Sequence, residues 1–298
     1  MDEKDWLILQ TLYEEKNITK TAERLYISQP ALTYRIQQIE KEYATTLIVR
    51  GKKGIEFTPQ GEYLVNYAKE MLLKAQKTKE AIKNMERKVQ GMLRLGTSSN
   101  FAHYRLPKLL KNFLTEYPDV EINLKTGWSS DVIQLVYKDE VHVGIIRGDY
   151  QWPEQKHLLA EEPLFIASKE KFAIAELPRL PRINYMTDAH LKQTIDTWWK
   201  NRFTVPPRIM MEVDKIETCK ELVLHGLGYS IFPSLCLRPD DELYTVLLTD
   251  EELIKRNTWI IYRNATLDLL VVRTFVDFVR RFYREEIHHE SPLFKPGY

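Results

Sequence analysis

The sequence predicts an α/β protein in two parts, a small helical head closed by a β-hairpin and a larger body of strands and helices folded as two lobes. Three observations predict it. Two short helical stripes joined by a tight turn precede a basic hairpin near the N-terminus. One long helix with heptad spacing follows. Beyond residue 91 strand-like runs alternate with helical ones, an order that builds a largely parallel sheet covered by helices.

The chain has 298 residues, 44% of them hydrophobic, which leaves room for about two domains with real cores. The net charge is +1, so contact with a polyanion has to come from a local patch. Only Cys219 and Cys236 carry thiols, which argues against a disulfide framework and for a reducing compartment. The N-terminal MDEKDWLILQTLYEEK is acidic and too short in apolar length for a signal peptide. No run approaches the roughly 20 apolar residues that span a bilayer. A cytoplasmic protein without membrane contact is expected.

In the head, residues 5–16 form a helix with Trp6, Leu9 and Tyr13 on its inner face. Ala22 and Leu25 share a face of the next. Ser28 is an N-cap and Pro30 sits in the first turn of a third helix, where its missing N–H costs nothing. Leu32, Ile36, Ile39 and Tyr43 make the inward stripe of that helix. Its outward face carries Pro30, Thr33, Tyr34, Gln37 and Lys41, with Gln29 at the mouth. A helix face of amides, hydroxyls and one cation suits a DNA major groove. Leu47–Arg50 and Ile55–Thr58 then bracket Gly51-Lys52-Lys53-Gly54, a hairpin whose cations can reach backbone phosphates. Gln29, Pro30, Thr33 and Tyr34 are the candidate base readers; Ser28, Arg50, Lys52 and Lys53 are the candidate phosphate contacts.

Thr58-Pro59 starts the long helix, read to about Val89. Leu64, Ala68, Met71, Ala75, Thr78, Ile82, Met85 and Val89 recur at alternating spacings of four and three, a heptad seam. At 1.5 Å per residue the helix would be about 48 Å long. Pairing through Leu64, Ala68, Met71, Ala75, Ile82 and Met85 would present two reading helices with two-fold symmetry, and so call for a dyad-related DNA site. The expected divisions are a DNA-binding head at 1–58, a linker and dimerisation helix at 59–90, and a body at 91–298. The first lobe takes about 91–161 and 265–298, the second about 162–264.

In the body, Leu93–Gly96, Val120–Leu124 and Val141–Ile146 are strands separated by helices. The second lobe shows Leu164–Ala167, a helix through Trp198-Trp199, Ile209–Val213, a helix at 217–225 and Tyr229–Phe232. Thr258–Tyr262 and a last helix return to the first lobe. Ligands of open α/β sheets bind beyond the carboxyl ends of strands. Ser98 and Ser99 follow the first strand and Ser129 the second, both at helix N-termini, which favour anions. Arg147 ends the third strand. It can take a ligand carboxylate bidentately or pair with Asp149 or Glu140. Thr218 opens a second-lobe helix, and Arg256 precedes the strand Thr258–Tyr262, either closing on the ligand or solvated. No Gly-x-Ser-x-Gly elbow, His-Glu-x-x-His, P-loop or Cys-x-x-Cys occurs; no enzyme, cofactor or metal is expected. An enzyme or a receptor using the two-lobed body without a regulatory DNA role is the competing class.

The runs Ala22-Glu23-Arg24-Leu25, Ser28-Gln29-Pro30-Ala31-Leu32-Thr33, Ile39-Glu40, Arg50 and Phe57-Thr58-Pro59-Gln60-Gly61 resemble the winged helix-turn-helix of LysR-type transcriptional regulators, which are bacterial. Tyr34-Arg35 departs from the polar or basic pair usual there. The two-lobed body is similar to that family's effector domain, built like type 2 periplasmic binding proteins. Gly127-Trp128-Ser129-Ser130, Gly144-Ile145-Ile146-Arg147-Gly148, Ile216-Glu217-Thr218-Cys219-Lys220 and His225-Gly226-Leu227-Gly228-Tyr229 resemble its citrate-responsive catabolite-control branch. The resemblance implies double-stranded DNA and a small anionic effector as partners, citrate or another carboxylate, with a regulator of the same class that takes a non-carboxylate effector as the alternative. It also implies a homodimer pairing again into a homotetramer, and contact with RNA polymerase.

Overall fold

The computed structural model describes residues 1–51, 54–83, 88–250 and 253–289. Lys52, Lys53 and Met85 lie outside these, as does the side chain of Arg50. The chain divides into two compact units, Met1–Glu86 and Arg87–Tyr298.

In the first unit, α1 (Glu3–Glu15) opens with a capping box: Asp2 accepts from the Asp5 amide at 3.0 Å, and Asp5 accepts from the Asp2 amide at 2.8 Å. Its buried face is Asp5, Ile8, Leu9 and Leu12, whereas Trp6 and Tyr13, expected inside, are only half-buried. The helix packs on α2, α3 and α4, so its buried arc is wider than one stripe. Asn17 caps α2 (Ile18–Arg24) and Ser28 caps α3 (Gln29–Glu42). Leu32, Ile36 and Ile39 of α3 are buried; Tyr43 ends the helix as its C-cap and is exposed instead. Strands β1 (Ile48–Gly51) and β2 (Gly54–Phe57) form the expected antiparallel hairpin, Ile48 opposite Phe57.

The long helix α4 (Pro59–Lys83) starts where Thr58 Oγ1 accepts from the Gly61 amide at 3.0 Å and donates to the Thr46 carbonyl at 2.7 Å. Two parts of the seam reading change. Leu64 and Ala68 are buried in the head's own core with Leu9, Ile39 and Leu47, because α1 lies along the first turns of α4. Of the described seam residues within α4 only Met71, Ala75, Thr78 and Ile82 stay half-buried or exposed. Val89 is not helical and packs on the first lobe's core.

In the second unit, lobe I contains β3 (Gly91–Ser98), α5 (Ser99–Tyr104), α6 (Leu106–Glu116), β4 (Val120–Gly127), α7 (Ser129–Tyr137) and β5 (Val143–Arg147). Strand β6 (Gln155–Ser168) then crosses into lobe II, which holds β7 (Arg182–Tyr185), α8 (Ala189–Arg202), β8 (Ile209–Val213), α9 (Ile216–Leu224), β9 (Tyr229–Pro233) and β10 (Tyr244–Leu247). Strand β11 (Lys255–Tyr262) returns, and α10 (Leu270–His289) closes lobe I. The strand order is β4-β3-β5-β11-β6-β9-β7-β8, with β10 on β6.

The sheet is mixed rather than largely parallel. Pairs β3–β4, β3–β5, β7–β8 and β7–β9 are parallel, but β11 runs antiparallel to β5 and β6, and β6 antiparallel to β9 and β10. Two strands that cross between lobes in opposite directions cannot both follow their neighbours. Strand β6, read only over 164–167, begins nine residues earlier, pairing with β11 from Gln155 to Pro163 and with β9 beyond. Strand β7 went unread. Ile260 and Tyr262 lie in the core of lobe I, so β11 belongs there and the boundary set at 264 moves back. Along β6, Leu164 and Ile166 face one helical layer and Phe165 and Ala167 the other, which is why that run is apolar without alternation.

Gly61 is the tightest point of the head, since an added Cβ would stand 2.2 Å from the Leu47 carbonyl oxygen. Gly61→Ala should destabilise the first unit by about 1–3 kcal/mol, seen as an earlier transition in a urea melt. An unchanged midpoint would show that α4 can slide off β1 at no cost.

Candidate functional site

The head presents Ser28, Gln29, Pro30 and Tyr34 to solvent, with Thr33 half-buried beside them. Gln29 Oε1 accepts from Thr19 Oγ1 at 3.5 Å, and Ser28 Oγ accepts from the Ala31 amide at 3.4 Å. Tyr34 is 63% exposed, a ring standing off the reading face. Arg35, adjacent to it, is held elsewhere: its Nη2 donates to Asp5 at 2.8 Å and to Asp2 at 3.3 Å, and its Nε also bonds Asp5. Asp5 is fully buried, so this pair ties α3 to α1 and helps set the angle between the two helices. A carboxylate sharing the apolar face of Ile8, Leu9 and Leu12 was the available signal, because a buried charge requires a partner. Sequence reasoning also passed over Tyr26, which is 96% exposed at the helix-turn-helix turn with φ of 55°, a backbone region uncommon for non-glycine residues. Of the basic hairpin, Lys52 and Lys53 lie outside the described residues.

In the second unit the strand ends meet at a cleft of about 710 Å³ between the lobes. Lobe I supplies Ser98, Ser99, Ser129 and Arg147, and β11 supplies Arg256. Thr218 is exposed on α9 and does not line it; Ile216 and Glu217, from the same helix, do. Arg256 lies inside β11, not before it, and is buried.

Ser129 is engaged with the backbone: its Oγ accepts from the Arg147 amide at 3.0 Å and donates to the Arg147 carbonyl at 3.1 Å. It fixes where β5 ends and so where the guanidinium starts. Arg147 is 1% exposed and pairs with Glu162 of β6, neither of the partners open to it in the sequence. Asp149 instead accepts from Asn257 at 3.0 Å and Trp259 at 3.1 Å, and Glu140 pairs with Lys125 at 2.8 Å. Arg256 pairs with Asp188, which also caps α8 by accepting from the Leu191 amide at 3.0 Å. Strand register accounts for the Arg147–Glu162 pair, since β11 lies between β5 and β6 with Thr258 opposite Arg147 and Arg256 opposite Glu162; Asp188 reaches Arg256 from the start of α8.

Burial acts to lower the Arg147 pKa, but Glu162 outweighs it and holds the group above its ordinary value. Burial would raise Asp188, but Arg256 keeps it below the usual 3.8. Each guanidinium still has unused hydrogens: Nε and Nη1 of both arginines are buried without a hydrogen-bond partner among the described residues, as is Ser98 Oγ. Such groups are rare in a finished core. They amount to a prepared set of donors for an acceptor entering the cleft. Cys219 and Cys236 are buried thiols pushed up to about 11 and about 12 by burial, which removes thiolate chemistry at neutral pH. Among the described residues no helix is long and apolar enough to cross a membrane.

Two family models match the chain. The bacterial regulatory helix-turn-helix protein of the lysR family covers residues 4–62, and the LysR substrate binding domain covers residues 86–284. The uncharacterized HTH-type transcriptional regulator YraN of Bacillus subtilis is 49% identical over 282 residues, 94% of this chain and 98% of its own. YkuM of the same organism, also an uncharacterized regulator, is 36% identical over 283 residues, 94% of this chain and 97% of its own. Full-length CbnR in complex with its target DNA superposes with a TM-score of 0.71 at 21% identity, covering 94% of this chain and 99% of that one. Full-length BenM gives 0.55 at 21% identity, covering 98% and 100%. At these identities the solved structures speak for the fold.

Arg35→Ala should cost about 1.5–3 kcal/mol in the stability of the head by leaving Asp5 buried and unpaired, and Asp5→Asn in the same chain should recover part of it. A double variant no more stable than Arg35→Ala would mean that the pair holds nothing together. Ser129→Ala should destabilise the second unit by about 1–3 kcal/mol, again by chemical melting.

Proposed function

The chain belongs to the LysR family of DNA-binding transcriptional regulators, and from that premise we propose that a small carboxylate held in the interlobe cleft tunes how it grips its operator. The observation that carries the proposal is the set of buried, unpartnered donors on Arg147, Arg256 and Ser98, all lining one cavity. A carboxylate supplies the acceptors these lack, and it arrives between lobes joined by the crossing strands β6 and β11. The ligand can act only through a difference in affinity between two lobe arrangements. A hundredfold change in operator affinity needs about 2.7 kcal/mol of such coupling.

Charge decides which carboxylate. The cleft and its immediate partners set Arg147, Arg256 and Lys215 against Glu162, Asp188, Asp214 and Glu217, three cations against four carboxylates. Citrate, the effector the sequence resemblance implies, would bring three more negative charges into a site with no positive excess. A ligand with one carboxylate is favoured over it. In the head we assign base reading to Gln29, Pro30, Thr33 and Tyr34 and phosphate contact to Ser28, Arg50, Lys52 and Lys53. Pairing of two chains runs through the open part of α4, where Met71, Ala75 and Ile82 keep their side chains accessible, and it makes the operator dyad-related.

Gln29→Ala should weaken binding to the preferred operator by about 1–3 kcal/mol while leaving affinity for random duplex unchanged, measured by competition titration at fixed salt. Arg147→Lys keeps a cation beside Glu162 but loses the guanidinium edge. It should abolish the effect of carboxylates on operator binding without changing the effector-free affinity. A full response in Arg147→Lys would remove Arg147 from the ligand site.

A further inference from the structure

Resting on the carboxylate reading of the cleft, we infer that the effector is an amino carboxylate, with its carboxylate on lobe I, its ammonium on lobe II and an apolar side chain between. The two walls of the cavity differ in kind. Lobe I presents the orphaned donors of Ser98 and Arg147, which are 6% and 1% exposed. Lobe II presents Asp214 and Glu217, and neither has an ion-pair or hydrogen-bond partner among the described residues.

These two carboxylates are surplus to the internal pairing, because Arg147 already has Glu162 and Arg256 already has Asp188. An acid in the first turn of α9 complements the helix dipole, and that accounts for Glu217 taken alone. It does not account for Asp214, which precedes the helix and is exposed. Nor does it explain why both carboxylates line the cavity that holds the orphaned guanidinium edges. Lys215 lies between them, exposed and in no ion pair among the described residues. It offsets one of the two charges and leaves that wall negative. A simple carboxylate satisfies one wall and repels the other; a zwitterion satisfies both.

The space between them is apolar on two sides. Trp128, 46% exposed, opens α7 in lobe I, and Met186, 62% exposed, follows β7 in lobe II. Large apolar groups left open inside a cleft accept an apolar body, and the indole face also attracts a cation. The ligand class is therefore an amino acid with an apolar side chain, or a longer amino carboxylate of the same pattern.

The test is thermal stabilisation and calorimetric titration of the full chain with the proteinogenic amino acids and 5-aminopentanoate. Each is set against its deamino carboxylate, with citrate as a further comparison. At least one amino carboxylate should bind about tenfold or more tighter than its deamino analogue, a difference of about 1.4 kcal/mol. Asp214→Asn combined with Glu217→Gln should erase that preference, the amino compound losing affinity while its deamino analogue binds as tightly as before or tighter because the repelling charges are gone. If the analogues or citrate bind as tightly as any amino compound, the ammonium site is overturned and the carboxylate reading stands. Failure of every carboxylate to bind overturns both.

Discussion

A buried guanidinium is costly to desolvate, by several kcal/mol, unless a carboxylate is buried with it. The body of this protein meets that condition twice at one joint. Arg147 ends β5 and is matched by Glu162 on the outgoing crossing strand; Arg256 on the returning strand is matched by Asp188, the cap of the first long helix of lobe II. Each pair is built from residues apart in the chain, the first brought together by the register of β5, β11 and β6 and the second by the start of α8 meeting β11. Among the described residues both leave part of the arginine without a hydrogen-bond acceptor. Pairs that are buried and still unsaturated place spare hydrogen-bond donors where the lobes join.

The head uses the same rule for a different end. Asp5 is buried among the apolar residues of α1, and Arg35 reaches it from α3. Since Arg35 neighbours Tyr34 on the reading helix, the charge that looks available for DNA is engaged in holding that helix against α1. The exposed Tyr34, Gln29 and Pro30 are then carried at a set angle. Leu64 and Ala68 show a related economy of surface, because the first turns of α4 complete the core of the head and only the later turns can face a second chain.

Much of this was legible in the sequence. Capping residues Ser28 and Thr58 start α3 and α4 where their side chains said they would. The apolar period of Leu32, Ile36 and Ile39 gave the inner face of α3, and the turn at 51–54 gave a hairpin. Ser98, Ser99, Ser129, Arg147 and Arg256 do line one cavity. These readings succeed because they depend on local physics: a cap bonds three residues away, a helical stripe repeats over one turn, and a helix that follows a strand starts at that strand's carboxyl end. Errors fell where packing is not local. Tyr43 and Val89 continue a helical period past the point where the helix ends, and the early part of β6 lacks the continuous apolar run of its later half.

The sequence by itself determined the family, the helix-turn-helix and hairpin of the head, and the places where helices start, because motif spacing and capping chemistry are written within a few residues of each other. Only the tertiary structure decided what those residues do with their charges. It gave Arg147 to Glu162, Arg256 to Asp188 and Arg35 to Asp5, and it set Asp214 and Glu217 on the wall of the cavity that Arg147 also lines. Side-chain partners across a sheet are chosen by strand order and register, and those arise from the whole chain closing on itself. No local pattern around an arginine records which carboxylate, about 15 or 68 residues away, will meet it.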